Sequence, residues 1–469
     1  MVQRSVVINV VGLCSRLIER ATMPQIATFL ERNKRAFIEP VLPAVTCTAQ
    51  ATYLTGAVPR EHGIVGNGWY DREYSEHRFW KQSNHLVRGQ KLWEQLRQID
   101  SDFTCAKVFW WYNMYSTADF SITPRPLYPV DGGKVFDVHT HPMGDRERIK
   151  KSLGDFPFPQ FWGPGAGIES TRWIAKAAKW FEEKYWPSLS LVYLPHLDYD
   201  LQRFGPNNPR IGQALHDIDK VVGDLIRFFE KRSIKVVLLS EYGITEVDRP
   251  VHLNRIFREK GWIQIKDEMG REAIDLGGSR AFAIADHQVA HIYLNDLSIY
   301  NEVQAVLEGT EGVGEVLEDV WKNFHALDHD RAGDLIAVAD DRSWFTYYFW
   351  TDDGVAPDYA RCVDIHRKCG YDPVELFVDP KIRHPKAAIG RRLLQKSLGF
   401  RTVMNVVPLD ADLVRGSHGR IPESQEDWPM LVGDFSDIPS SGVLAATDVY
   451  GQLLSHCSAG HGYAGPALL

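Results

Sequence analysis

Four short segments of this 469-residue chain concentrate side chains that could do chemistry. The first runs Leu42-Pro43-Ala44-Val45-Thr46-Cys47-Thr48, and Thr55-Gly56, Pro59, His62-Gly63-Ile64 and Asn67 follow it. Thr46 lies where a helix begins. Free N–H groups and the helix dipole at such a point favour an alkoxide or a phosphate. The second segment is Pro195-His196-Leu197-Asp198-Tyr199-Asp200-Leu201-Gln202, ahead of Gly205-Pro206. The third is Ser240-Glu241-Tyr242-Gly243, and the fourth is Gly416-Ser417-His418-Gly419. Carboxylate, imidazole and phenol groups serve as general acids and bases, and carboxylate and imidazole also hold divalent cations. Two further clusters are Asp286-His287-Gln288-Val289-Ala290-His291 and Asp364-Ile365-His366. On one strand, His287 and His291 would share a face.

Those segments need a frame that brings them together. Ser5–Val11, Leu189–Leu194 and Ile234–Ser240 are continuous apolar runs, and Phe37–Leu42 and Thr104–Phe109 are shorter ones. Between them the spacing predicts helices over Met23–Glu31 (Thr22 as N-cap, Pro24 near the start), Thr48–Leu54, Lys91–Gln98, Glu169–Lys184 and Pro209–Lys231. Buried strands alternating with helices imply an α/β fold: a largely parallel sheet covered by helices on both faces. Ligands bind such sheets beyond the carboxyl ends of the strands, which is where Thr46, Asp198, Glu241 and Tyr242 fall. The choppier pattern over 271–385, with short strands at Ala290–Leu294 and Phe345–Trp350, predicts a smaller inserted α+β cap. The expected core is then 1–270 with 386–469.

The order of these motifs resembles the nucleotide pyrophosphatase/type I phosphodiesterase family of the alkaline phosphatase superfamily. In that family a Thr opens a helix ending in Thr-Gly, followed by Pro, His-Gly-Ile and an Asn. The resemblance covers roughly 1–270 and 400–425. It implies an alkaline-phosphatase-like fold, Thr46 as nucleophile and Asn67 at the developing oxyanion. It also implies a divalent-metal centre built from Asp198, His418 and Glu241.

Several positions depart from the family pattern. The family's two-metal site takes Asp, His and His for one ion, and here those positions are Asp198, Gln202 and His418. For the other ion it takes Asp, Asp, His and the Thr, and here those positions are Val11, Glu241, Tyr242 and Thr46. Val11 cannot ligate, an amide oxygen is a weak ligand for zinc, and a phenol ligates only once ionised, against a reference pKa near 10. Three readings stay open. The chain is a phosphodiesterase/pyrophosphatase-like hydrolase of a small phosphorylated metabolite, with a remodelled metal site that His287, His291 or His366 could complete. It is a catalytically degenerate relative that binds a phosphorylated ligand without hydrolysing it. Or Glu241, Tyr242 or a histidine performs other acid–base chemistry.

Composition narrows the partners. Lys plus Arg is 53 against 61 Asp plus Glu, a net charge of −8, which argues against nucleic acid. The apolar run at Ser5–Leu13 is short of the ~20 residues that span a bilayer, so no membrane span is expected. Six scattered cysteines without a C-x-x-C pair fit a reducing compartment, and a cytoplasmic location is expected. Aromatics make up 12% of the chain, with 14 Trp. One cluster, Phe109-Trp110-Trp111-Tyr112, follows a strand, and Trp111 and Tyr112, with Tyr242 and Gln202, are expected to wall a substrate pocket.

Overall fold

In a computed structural model the described residues are 3–130, 133–400, 402–439 and 442–459. The stretch 460–469 of the expected core lies outside them.

A nine-stranded sheet forms the larger layer. Its order is Val443–Ala445, Lys34–Glu39, Met430–Gly433, Lys235–Leu239, Ser5–Val10, Leu189–Leu194, Cys105–Val108, Phe120–Pro124 and Val138–His141. From Lys235–Leu239 to Phe120–Pro124 the five central strands are parallel. Antiparallel neighbours appear only toward the edges, at Met430–Gly433 and Val138–His141. The apolar strand Ser5–Val10 is buried along its whole length because helices cover both faces. Val6, Ile8 and Val10 pack with Pro24–Glu31, Ile168–Tyr185 and Gly212–Glu230 on one face. Val7 points the other way, toward Thr46–Thr55, Leu92–Ile99 and Asp448–Ser458.

A second sheet, of four antiparallel strands, is built from Ala281–Asp286, Val289–Leu294, Leu335–Ala339 and Val313–Leu317. Its core runs from Val247 to Val414 in sequence and takes in Tyr70 and Phe79. Residues on both sides of the 271–385 stretch therefore share that core. No described helix is long and apolar enough to cross a membrane.

Three local expectations are corrected. Met23, not Thr22, is the N-cap of Pro24–Glu31, and the Thr22 hydroxyl donates to the Glu19 carbonyl instead. Within Phe345–Trp350 the strand ends at Phe345, and the aromatics beyond it pack as non-repetitive backbone in the second core. His287 and His291 do not share a strand. Asp286 pairs with Val289 across a two-residue turn, and His287 in that turn takes φ of 62°.

Two buried details shape the site. Gly243, just after Tyr242, bridges to Gly12, and a Cβ there would lie 1.9 Å from the Asp427 carbonyl oxygen. Lys107 sits on the central strand Cys105–Val108, fully buried. Its Nζ donates to the carbonyls of Trp111 at 3.2 Å and Tyr112 at 2.9 Å. It thereby clamps the 109–112 turn, in which Phe109 and Tyr112 take φ of 62° and 51°. Burial pulls the Lys107 ammonium down to about 7.

Gly243→Ala is expected to lower stability by about 2–3 kcal/mol through backbone overpacking, read from the urea midpoint. For Lys107 the unfolded chain holds its proton up to the ordinary lysine range while the folded chain releases it near 7. The unfolded state thus binds more protons in between, and this contribution to stability rises with pH across that window. The stability of the wild type relative to Lys107→Met should therefore increase from pH 7 to pH 10, and a flat difference would refute the assignment.

Candidate functional site

The site forms where the central strands end. Thr46 is the first residue of Thr46–Thr55, directly after Val45 in extended conformation. The strand Leu189–Leu194 runs into the helix His196–Phe204, which places Asp198 and Gln202 one turn apart on one side. Glu241 and Tyr242 follow the strand Lys235–Leu239. His418 comes from a loop after Gly416–Ser417, which is paired to Thr245–Glu246.

At the centre is the Tyr242 hydroxyl. It lies 3.2 Å from Thr46 Oγ1 and donates to Asp198 Oδ1, also at 3.2 Å. Its ring stacks on His418 with centroids 3.6 Å apart and planes 7° from parallel. The other Asp198 oxygen accepts from Gln202 Nε2 at 2.7 Å, and Gln202 in turn meets the Tyr371 hydroxyl. His418 Nδ1 donates to the Ala44 carbonyl at 2.7 Å, so its Nε2 carries the lone pair. That Nε2 has no hydrogen-bond partner among the described residues and lies 3.9 Å from Asp198 Oδ1.

Glu241 is held differently. Its Oε1 accepts from the side-chain amides of Asn9 and Gln50, while Oε2 is buried with no hydrogen-bond partner among the described residues. Gln50 Oε1 accepts from the Trp111 backbone N–H at 2.8 Å, which ties the aromatic turn to the helix that begins at Thr46. Asn67 Oδ1 accepts from the Cys47 N–H at 3.0 Å. The Asn67 backbone N–H and Nδ2 donate to Asp286 at 2.7 and 3.1 Å. A donor on one side and a carboxylate on the other leave the Asn67 amide one orientation.

Burial sets the electrostatics. It pushes the Asp198 carboxyl up to about 7, against the hydrogen bonds from Tyr242 and Gln202 that pull it down. It pushes Glu241 up to about 8, with Gln50 and Asn9 opposing. It holds His418 and His287 well below the ordinary histidine range, and both rings are neutral at pH 7. The Tyr242 phenol is raised well above 10 and stays protonated.

The structure thus gathers Thr46, Asp198, Gln202, Glu241, Tyr242 and His418, with Asn67 beside them. His287 joins them, its ring 3.8 Å from His418 and 3.6 Å from Tyr371. His291 and His366 do not. His291 donates to the Val65 carbonyl and accepts from the Gly333 N–H, and His366 Nδ1 meets the Phe79 carbonyl. Trp111 packs on Trp80 with ring centroids 4.8 Å apart, and Tyr371 on Trp162 at 5.5 Å. Tyr112 is buried, its carbonyl held by Lys107 and Asn84.

Asn9, Gln50 and Tyr371 join this place without standing among the candidate residues, and Asp286 enters from the Asp286–His291 cluster through Asn67. Asn9 had a signal, since it is the polar residue inside Val-Val-Ile-Asn-Val-Val. Gln50 had a weaker one, four residues after Thr46 on the same helix. Tyr371 had none.

The donors do not fit the two-metal centre that the family resemblance implies. Val11 is apolar and fully buried. The Tyr242 phenol fills the gap between Thr46 and Asp198, and Gln202 presents an N–H to Asp198. Among the described residues, no three His, Cys, Asp or Glu side chains are grouped to hold a metal ion.

A family model described as type I phosphodiesterase / nucleotide pyrophosphatase matches residues 5–372. An uncharacterized pyrophosphatase/phosphodiesterase of Schizosaccharomyces pombe is 23% identical over 353 residues, 71% of this chain and 62% of that protein. Human ectonucleotide pyrophosphatase/phosphodiesterase family member 5 is 23% identical over 308 residues, 64% of this chain and 54% of that protein. The matches therefore span less than two thirds of these relatives. Among solved structures, murine ectonucleotide pyrophosphatase/phosphodiesterase 5, an inactive Thr-to-Ala form in complex with AMP, superposes with a TM-score of 0.59 at 15% identity. That superposition covers 97% of this chain and 95% of that one. Phosphonoacetate hydrolase from Sinorhizobium meliloti 1021 in complex with phosphonoformate gives 0.60 at 12% identity, over 97% and 96% of the two chains. These likenesses show an alkaline-phosphatase-like α/β fold, and the family match settles the lineage: the chain belongs to the type I phosphodiesterase / nucleotide pyrophosphatase family.

Proposed function

We propose that this chain hydrolyses a phosphodiester or pyrophosphate bond in a small phosphorylated metabolite, with Thr46 as the nucleophile. One observation carries the reading. The Thr46 hydroxyl stands at a helix N-terminus, beyond the carboxyl ends of the central strands, in a hydrogen-bonded line with Tyr242 and Asp198. The line orients the Thr46 oxygen before substrate arrives, and positioning of this kind supplies much of phosphoryl-transfer catalysis.

The other residues take supporting parts. The helix N-terminus offers N–H groups and a positive dipole end to a phosphate. Asn67 fixes the Cys47 N–H and so the backbone that carries Thr46. The second N–H of its amide is the donor for a phosphate oxygen. Glu241, pinned by Asn9 and Gln50, keeps a carboxyl beside the nucleophile for proton transfer. Trp80, Trp111, Trp162 and Tyr371 offer flat apolar surface for the organic part of the substrate. The AMP and phosphonoformate held by the two solved neighbours are phosphorus-bearing anions of the size this reading requires.

A second reading, binding without hydrolysis, is favoured by the side chains at Val11, Gln202 and Tyr242, which stand where the family resemblance implies metal ligands. The two readings part on one residue. With bis-(p-nitrophenyl) phosphate as substrate, Thr46→Ala should lower kcat/KM by at least about a hundred-fold, the loss expected when a nucleophile is removed. Turnover that is absent in the wild type, or that survives Thr46→Ala, refutes hydrolysis through Thr46. If AMP still raises the melting temperature in that case, the binding reading replaces it.

A further inference from the structure

A two-cation phosphoesterase clamps its attacking and leaving oxygens with metal. In this chain a side chain fills the corresponding space. The Tyr242 hydroxyl is 3.2 Å from Thr46 Oγ1 and 3.2 Å from Asp198 Oδ1, inside hydrogen-bond range of both. Its ring lies flat on His418, at 3.6 Å.

The phenol has little freedom to leave. Gly243 follows it with its backbone pressed on the Asp427 carbonyl, so the chain cannot retreat on that side. His418, beneath the ring, is pinned by its bond to the Ala44 carbonyl, and the Ala44 N–H returns to the Gly419 carbonyl at 2.7 Å. The far oxygen of Asp198 is capped by Gln202, and Gln202 by Tyr371. The result is one continuous hydrogen-bonded row of hydroxyl, phenol, carboxylate, amide and phenol. Two buried atoms with lone pairs stay outside it, His418 Nε2 and Glu241 Oε2. These are the ligands that removal of the phenol would release.

We propose that the Tyr242 phenol takes the place of a cation in this chain: it aligns the Thr46 hydroxyl with the Asp198 carboxylate and keeps a divalent ion out of the space between them. The catalytic half of this proposal rests on the hydrolase reading, and the exclusion of metal does not.

The test uses the full chain, stripped with chelator and titrated with Mn²⁺ under paramagnetic resonance and with Zn²⁺ by equilibrium dialysis. The wild type should retain no tightly bound equivalent of either ion. Tyr242→His, which restores an imidazole, should retain one equivalent, and adding Asp198→Asn should remove it. Tyr242→Ala serves as the second opened variant, with near-ultraviolet circular dichroism confirming the fold of each. Tyr242→Phe keeps the ring on His418 and should stay metal-free while kcat falls about ten- to a hundred-fold with KM little changed, because an aligning hydroxyl is lost and no binding contact with substrate.

An Asp198-dependent equivalent of Mn²⁺ or Zn²⁺ in the wild type overturns the proposal, and so do opened variants that fold and stay metal-free. If the wild type shows no Thr46-dependent turnover, the hydrolase reading falls while the metal stoichiometries still decide the exclusion of the cation. Turnover that persists in a wild type carrying such an ion leaves hydrolysis standing and removes the phenol's role.

Discussion

The whole arrangement depends on one bridging hydroxyl. Tyr242 joins the N-terminus of one helix, at Thr46, to the first turn of another, at Asp198. Neither partner would be held as firmly without it. A buried carboxylate with one oxygen unpaired is expensive, and a buried threonine hydroxyl would turn to the nearest backbone carbonyl. The phenol satisfies both and remains uncharged, so it adds no second buried charge beside Asp198.

The scaffold over-determines that position. The close backbone approach at Gly243 fixes where the strand end turns, and a second one at Gly416, where a Cβ would lie 2.1 Å from the Leu201 carbonyl oxygen, presses the His418 loop onto the Asp198 helix. Asp286, from the second sheet, reaches across to Asn67 and so couples that sheet to the backbone of the Thr46 helix. Lys107 and Gln50 hold the aromatic turn from two directions. Residues from nearly the full span of the chain therefore meet within a few ångströms. This is the usual outcome when a parallel sheet collects its strand ends at one edge.

Much of the frame was legible in the residues. Ser5–Val10 and Leu189–Leu194 are mostly apolar with no regular polar alternation, the pattern of strands in a doubly covered sheet. The two antiparallel strands near the edge, Met430–Gly433 and Lys34–Glu39, were harder to read. Lys34–Glu39 is partly exposed and carries a mixed pattern, Met430–Gly433 is buried but only four residues long, and the two pair across nearly the whole chain. A shared face for His287 and His291 required one strand through both, and the two-residue turn that separates them shows itself only in the pairing of Asp286 with Val289.

The sequence by itself determined which chemical groups are present at each strand end, and that Val11, Gln202, Glu241 and Tyr242 depart from the pattern of their family. Residue identity carries that information, because composition decides what a side chain can donate, accept or ligate. Only the tertiary structure decided what those departures do together. Whether a tyrosine beside a threonine and an aspartate ligates, points away or bridges depends on distances between segments far apart in sequence: Tyr242 is 196 residues from Thr46 and 44 from Asp198. Those distances come from how helices and strands pack, and local sequence does not encode packing between distant segments. Once packed, the phenol stands 3.2 Å from both partners, and that separation makes it a bridge.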